Sequence, residues 1–119
     1  MANLLKNKLE RRRSPRIRRQ IPLKIQHEEY DLVGQTQDIS CIGAYCTIDK
    51  YIPPFSLISI ILLLPLRTND RNGICNVRCR GVVVRTQVNP HNHKQYNIAI
   101  YFNRISKSDR TKLLHYVQQ

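Results

Sequence analysis

From Ile21 onward, apolar residues recur at every second position in short stretches broken by proline, glycine and asparagine. A period of two is that of a β-strand with one buried face. The cleanest stretch runs Tyr96, Ile98, Ile100, Phe102, and Ile21, Leu23 and Ile25 alternate in the same way with Pro22, Lys24 and Gln26. Asp31 to Asp38 and Gly43 to Ile48 read as two further strands. Leu57 to Leu64 is almost wholly apolar, as expected of a strand buried on both faces or closing a barrel. Pro65 is expected to end that strand, with a turn from Thr68 to Gly73. Ile74 to Val88 is a long strand with Gly81 as a bend or bulge, and Asn89 to Lys94 is a hairpin loop. The period then changes: Ser106 or Ser108 caps a helix whose apolar stripe is Leu113, Leu114 and Val117. Closely spaced strands followed by one terminal helix predict a mainly β fold, a small barrel with a helix packed on it.

A chain of 119 residues fits one domain, and its 41% hydrophobic content exceeds that of disordered chains. The longest apolar run is far short of the roughly 20 residues of a membrane-spanning helix. Leu4 and Leu5 are followed at once by Lys6, Lys8 and Glu10, unlike a secretory signal. A cytoplasmic location with no membrane span is therefore expected. Residues 1–10 form either a short amphipathic helix or a fraying end. Cys41, Cys46, Cys75 and Cys79 lack the C-x2-C spacing of common zinc sites, and core filling suits them better. His91 and His93 share a loop with no nearby carboxylate, and no nucleophile–base pair or glycine-rich phosphate loop is visible. Neither a catalytic nor a metal site is expected, so the chain reads as a non-enzyme.

The net charge is +12, and residues 1–20 hold eight arginines and lysines against Glu10 alone. Such a block attracts phosphates or polyanions. Within it lies Arg12-x-x-x-Arg16, flanked by Arg11 and Arg13. About one strand pair later comes Asp38-Ile39-Ser40-Cys41-Ile42-Gly43. Guanidinium forks match phosphate oxygens and the O6/N7 edge of guanine, and their flat faces stack on purines. Asp38 accepts donors from a guanine edge or orients an arginine. Ser40 donates and accepts. Gly43 allows a close backbone approach to a ligand, or a positive φ.

This ordered pair of motifs resembles the PilZ domain family, bacterial receptors for cyclic di-GMP. Arg12 and Arg16 match its R-x-x-x-R, and Asp38, Ser40 and Gly43 match its [D/N]-x-S-x-x-G. Ile21-Pro22-Leu23, Gly81 to Val84 and Tyr96 to Phe102 add flanking similarity. Ala99 departs from a common glycine, and Arg85 from a common aromatic. The resemblance implies a six-stranded antiparallel β-barrel with a C-terminal α-helix and a flexible basic N-terminal segment. It places an N-terminal extension at 1–10 and the PilZ-like domain at 11–119. It implies that Arg12 and Arg16 contact phosphates and guanine faces and that Asp38 and Ser40 contact a guanine edge. Arg11, next to the pair, goes with two stacked ligands per domain, and Arg13 is a further contact. On this reading the ligand reorders the arginine segment and signals to a protein partner.

Two alternatives stay open. One is a PilZ-like module that binds proteins without a ligand. The other is a basic β-barrel that binds nucleic acid. Only 7% of residues are aromatic, and Phe102 falls on an apolar face, so few stacking platforms are offered to single strands.

Overall fold

The structure is a computed structural model that describes residues 16–28, 30–68 and 71–118. Strands β1 (Pro22–His27), β2 (Tyr30–Ile39), β3 (Gly43–Ile48), β4 (Leu57–Thr68), β5 (Arg71–Val88) and β6 (Tyr96–Ile105) precede helix α1 (Lys107–Val117). The strands close into an antiparallel barrel in the order β1-β2-β3-β6-β5-β4. In β1 and β6 the inward positions are those predicted from the alternation: Leu23, Ile25, Ile98, Ile100 and Phe102 are buried. In β4 Ile58, Ile60 and Leu62 are buried while Leu57 is exposed, so this strand is not buried on both faces. β4 is the closing strand, paired with β5 on one side and with β1 on the other.

Pro65 does not end β4, which continues to Thr68 in register with β5. Pairing with β1 stops at Leu62, so the missing N–H of Pro65 lies where β1 asks for no ladder bond. Of the turn expected from Thr68 to Gly73, Thr68 and Arg71 to Gly73 are instead paired strand residues, and 69 and 70 lie outside the described residues.

Ser106 is the N-cap of α1, its side chain accepting from the Asp109 N–H at 3.1 Å. The helix packs against β4 and β5. It buries Leu113, Tyr116 and Val117, whereas Leu114, expected in the stripe, is 41% exposed. Tyr116 takes that place because residues three apart share a helix face and adjacent residues do not. Among the described residues, no helix is long and apolar enough to cross a membrane.

All four cysteines are free thiols. Cys46 and Cys79 are buried in the core, and Cys41 lies in the turn after β2. Burial, helped by the nearby Asp109 charge, pushes the Cys79 thiol up to about 12. Burial also raises Cys46 strongly, with Asp38 and Cys79 adding to it, and raises Cys41 against the opposing pull of Arg110. With a pKa near 12, only about one Cys79 thiol in ten thousand is ionised at pH 8. Alkylation of the native protein at that pH, followed by mass spectrometry, is expected to modify half-buried Cys41 and Cys75 well before Cys46 and Cys79.

Three bulges set which side chains face outward. Register shifts fall at Thr36/Asp38 between β2 and β3, and at Arg80/Gly81 and Val83/Arg85 between β5 and β6. A bulge sends two successive residues to one side and restores the inward phase beyond them. The outward pairs are Gln37–Asp38, Val84–Arg85 and Asn103–Arg104. At the second shift the extra residue is Asn103 of β6, not Gly81 as expected from the sequence.

Candidate functional site

The segment before β1 is held against β2. Ile17 and Ile39 exchange both backbone hydrogen bonds, each 3.0 Å. Further along, the fully buried Thr36 hydroxyl donates to the Arg19 carbonyl at 2.6 Å and accepts from the Ile21 N–H at 2.9 Å. The Thr36 N–H in turn donates to the Ile21 carbonyl at 2.9 Å. The Arg19 guanidinium lies 5.3 Å from the centre of the Tyr116 ring, a cation–π contact that ties this segment to α1. Valine at position 36 keeps the shape but orphans a buried N–H and a carbonyl. Thr36→Val is expected to cost about 1–3 kcal/mol, read as a lower midpoint in urea unfolding.

This anchoring brings the two sequence motifs together. Arg16 Nη1 lies 3.3 Å from Asp38 Oδ1. The bulge at Gln37 is what turns Asp38 outward while leaving Ile39 inside. The Asp38 side chain is 27% exposed and that of Arg16 58%, so the pair is wet and contributes at most about 1 kcal/mol. Arg11, Arg12 and Arg13 lie outside the described residues.

Ser40 and Gly43 are placed differently. Ser40 is buried, and its hydroxyl donates to the Gly43 carbonyl at 3.3 Å and accepts from the Ile42 N–H at 3.2 Å. The Ser40 N–H also donates to the Gly43 carbonyl at 2.9 Å. Gly43 has no positive φ. A Cβ there would press on the Ile100 carbonyl oxygen of β6, so the close approach is to the neighbouring strand. In this arrangement both residues build the turn, and Asp38 and Arg16 are its outward polar groups.

Around Asp38 the outer surface is polar. Across β2, β3, β6 and β5 the register lines up Asp38, Tyr45, Ala99 and Arg85 in one row. Thus Ala99 and Arg85, the two departures from the motif pattern, are direct partners on the face that carries Asp38. Beside it, Asn97 Oδ1 accepts from Thr47 at 3.1 Å, Asn89 at 3.2 Å and Gln37 at 3.4 Å. Sequence reasoning missed this network because its members come from four separate segments. It adjoins a cleft of about 510 Å³ lined by Gln20, Thr36, Gln37, Thr47, Asn89 and Gln95, among others. Among the described residues no group of three or more His, Cys, Asp or Glu side chains could hold a metal ion.

The PilZ domain family model matches residues 10–119. The chain belongs to the PilZ domain family. Two solved structures share the fold of this PilZ domain. The Bacillus subtilis inhibitor of motility (MotI/DgrA) has a TM-score of 0.76 at 19% identity, covering 90% of this chain and 49% of its own. The chain therefore spans about half the length of that protein. The PilZ domain of YcgR from Escherichia coli, solved with cyclic di-GMP, has a TM-score of 0.62 at 14% identity, covering 91% of this chain and 89% of its own. No curated protein sequence matches the chain.

Proposed function

We propose that this PilZ domain is a cytoplasmic, non-enzymatic receptor for cyclic di-GMP that passes the signal to a protein partner. The observation that carries the reading is the 3.3 Å contact between Arg16 and Asp38, which joins the two motifs in space. Membership of a family that includes a domain solved with this ligand supports it.

On this reading Asp38 accepts from the N–H donors of a guanine edge, and Arg16 is released from it toward phosphate. The exchange is cheap because the ion pair it breaks is solvated. Arg12 is the second clamp and stacks on a guanine face, with Arg11 and Arg13 as additional phosphate contacts. Ser40 and Gly43 serve by shaping the turn that presents Asp38. Two ligands per domain are proposed, since Arg11 adds a third fork beside the pair. Closure of the arginine segment onto the barrel is the signal, and the Arg19–Tyr116 contact offers a route by which α1 feels it.

Calorimetric titration of the full chain with cyclic di-GMP, with GTP as the control, tests the reading. Saturable heat at micromolar concentration with a ratio near two supports it. No heat at hundreds of micromolar ligand refutes it.

A further inference from the structure

A second cluster of guanidinium groups sits on β5 and β6. Arg80 of β5 and Arg104 of β6 are direct cross-strand partners, and both side chains are exposed. Directly opposed residues have Cα atoms only about 4.5–5.5 Å apart, so two like charges placed there repel and weaken the sheet. Among the described residues, neither guanidinium makes an ion pair or a side-chain hydrogen bond. The bulge at Asn103 adds an amide beside Arg104 on the same side.

The register continues the row outward. Arg80 pairs with Ser59 of β4, and Ser59 pairs with Gln26 of β1. Gln26, Ser59, Arg80, Asn103 and Arg104 together line a cleft of about 690 Å³. An adjoining cleft of about 590 Å³ adds Arg78. Neither lining includes Arg16, Asp38, Ser40 or Gly43. Two carboxylates are near. Asp109 in the adjoining cleft is already engaged by Lys112 at 3.6 Å and by the Ser106 hydroxyl at 3.1 Å. Glu28 is in the lining of the larger cleft, beyond ion-pair distance of either arginine.

We propose that this cleft is a separate binding site for a phosphate dianion. Two facing guanidinium forks match the charge and the oxygen geometry of one phosphate. The Ser59 hydroxyl and the amides of Gln26 and Asn103 supply neutral donors to its remaining oxygens. The repulsion between Arg80 and Arg104 is then relieved on binding. The volume exceeds what a bare phosphate fills and lies within the range of small-ligand sites, so a small phosphomonoester fits as the carrier.

The test uses amide NMR of the full chain at constant ionic strength. The probes are inorganic phosphate, guanosine 5′-monophosphate and guanosine. Saturable shifts of the amides of 59, 80, 81, 103 and 104 are expected with both phosphate probes and not with guanosine. Any shifts that guanosine 5′-monophosphate causes around Asp38 belong to the cyclic di-GMP site and are lost in Arg16→Ala. A monophosphate at least tenfold tighter than phosphate identifies a phosphomonoester as the carrier, and equal affinities identify free phosphate. The double substitution Arg80→Gln/Arg104→Gln is expected to weaken binding at least tenfold, Arg16→Ala to leave it unchanged, and Glu28→Gln to tighten it. The double variant is also expected to melt higher than the parent without phosphate and to gain nothing when phosphate is added, whereas the parent gains. Shifts spread over all basic surfaces, shifts that survive the double substitution, or equal thermal gains in both proteins would overturn the proposal.

Discussion

Arg16→Ala is expected to remove measurable cyclic di-GMP binding, and Arg12→Ala to do the same, while the barrel stays folded. A complex in the micromolar range needs about 8 kcal/mol net, and charge-assisted hydrogen bonds contribute about 1.5–3 kcal/mol each. An arginine gripping phosphate with both arms supplies two of them. Losing those two takes away about 3–6 kcal/mol, a factor of roughly 10² to 10⁴ in affinity. The fold is spared because the Arg16 side chain is 58% exposed; its ion pair with Asp38 adds at most about 1 kcal/mol. Arg16→Lys separates geometry from charge. It keeps the charge but loses the planar fork, and at least a tenfold loss is expected. Calorimetry gives the affinities and thermal melting the folded state. An alanine variant that titrates like the parent would remove Arg16 from the site and with it the proposed receptor.

Period and motif order carried much of this molecule into view, because both are local. Tyr96 to Phe102 shows its buried face in seven consecutive residues, and Asp38-x-Ser40-x-x-Gly43 marks a turn by residue type alone. What escaped depends on partners far along the chain. A bulge is a mismatch between two strands, so neither Gln37 nor Asn103 announces one by itself. Arg80 and Arg104 are 24 residues apart in sequence and adjacent only through the β5–β6 register. Pro65 is a stop signal in isolation, harmless here because β1 no longer pairs beside it. The direction of a hydroxyl is likewise not encoded. Ser40 looks available to a ligand in sequence, whereas its hydroxyl is spent on the turn.

Gly43→Val is expected to destabilise the protein by about 3 kcal/mol or more, with Gly43→Ala close behind. Overpacking of a filled interior usually costs about 1–3 kcal/mol, because neighbouring side chains give way. Here the obstacle is the Ile100 carbonyl oxygen, with the Ile100 carbonyl carbon 3.4 Å and the Tyr101 Cα 3.6 Å from the same point. All three are backbone atoms of β6, to which β3 is hydrogen-bonded from Gly43 to Ile48. A side chain at 43 can be admitted only by parting β3 from β6 where the turn begins. That movement pulls on the Ser40–Gly43 bonds and on the Phe102 N–H that donates to the Ile42 carbonyl at 2.8 Å. Since each kcal/mol lowers the midpoint of a domain this size by several degrees, a fall of more than about 10 °C follows. Asp38 sits on the other end of the same turn, so the fraction that still folds at low temperature is expected to bind cyclic di-GMP more weakly as well. Ser40→Ala provides the scale. It leaves the Ile42 N–H without its 3.2 Å acceptor but needs no strand movement, and about 1–2 kcal/mol is expected. If Gly43→Val melts within 2 °C of the parent, a span chosen as roughly half the effect of 1 kcal/mol, the two strands are not in contact there and the turn is held by something else.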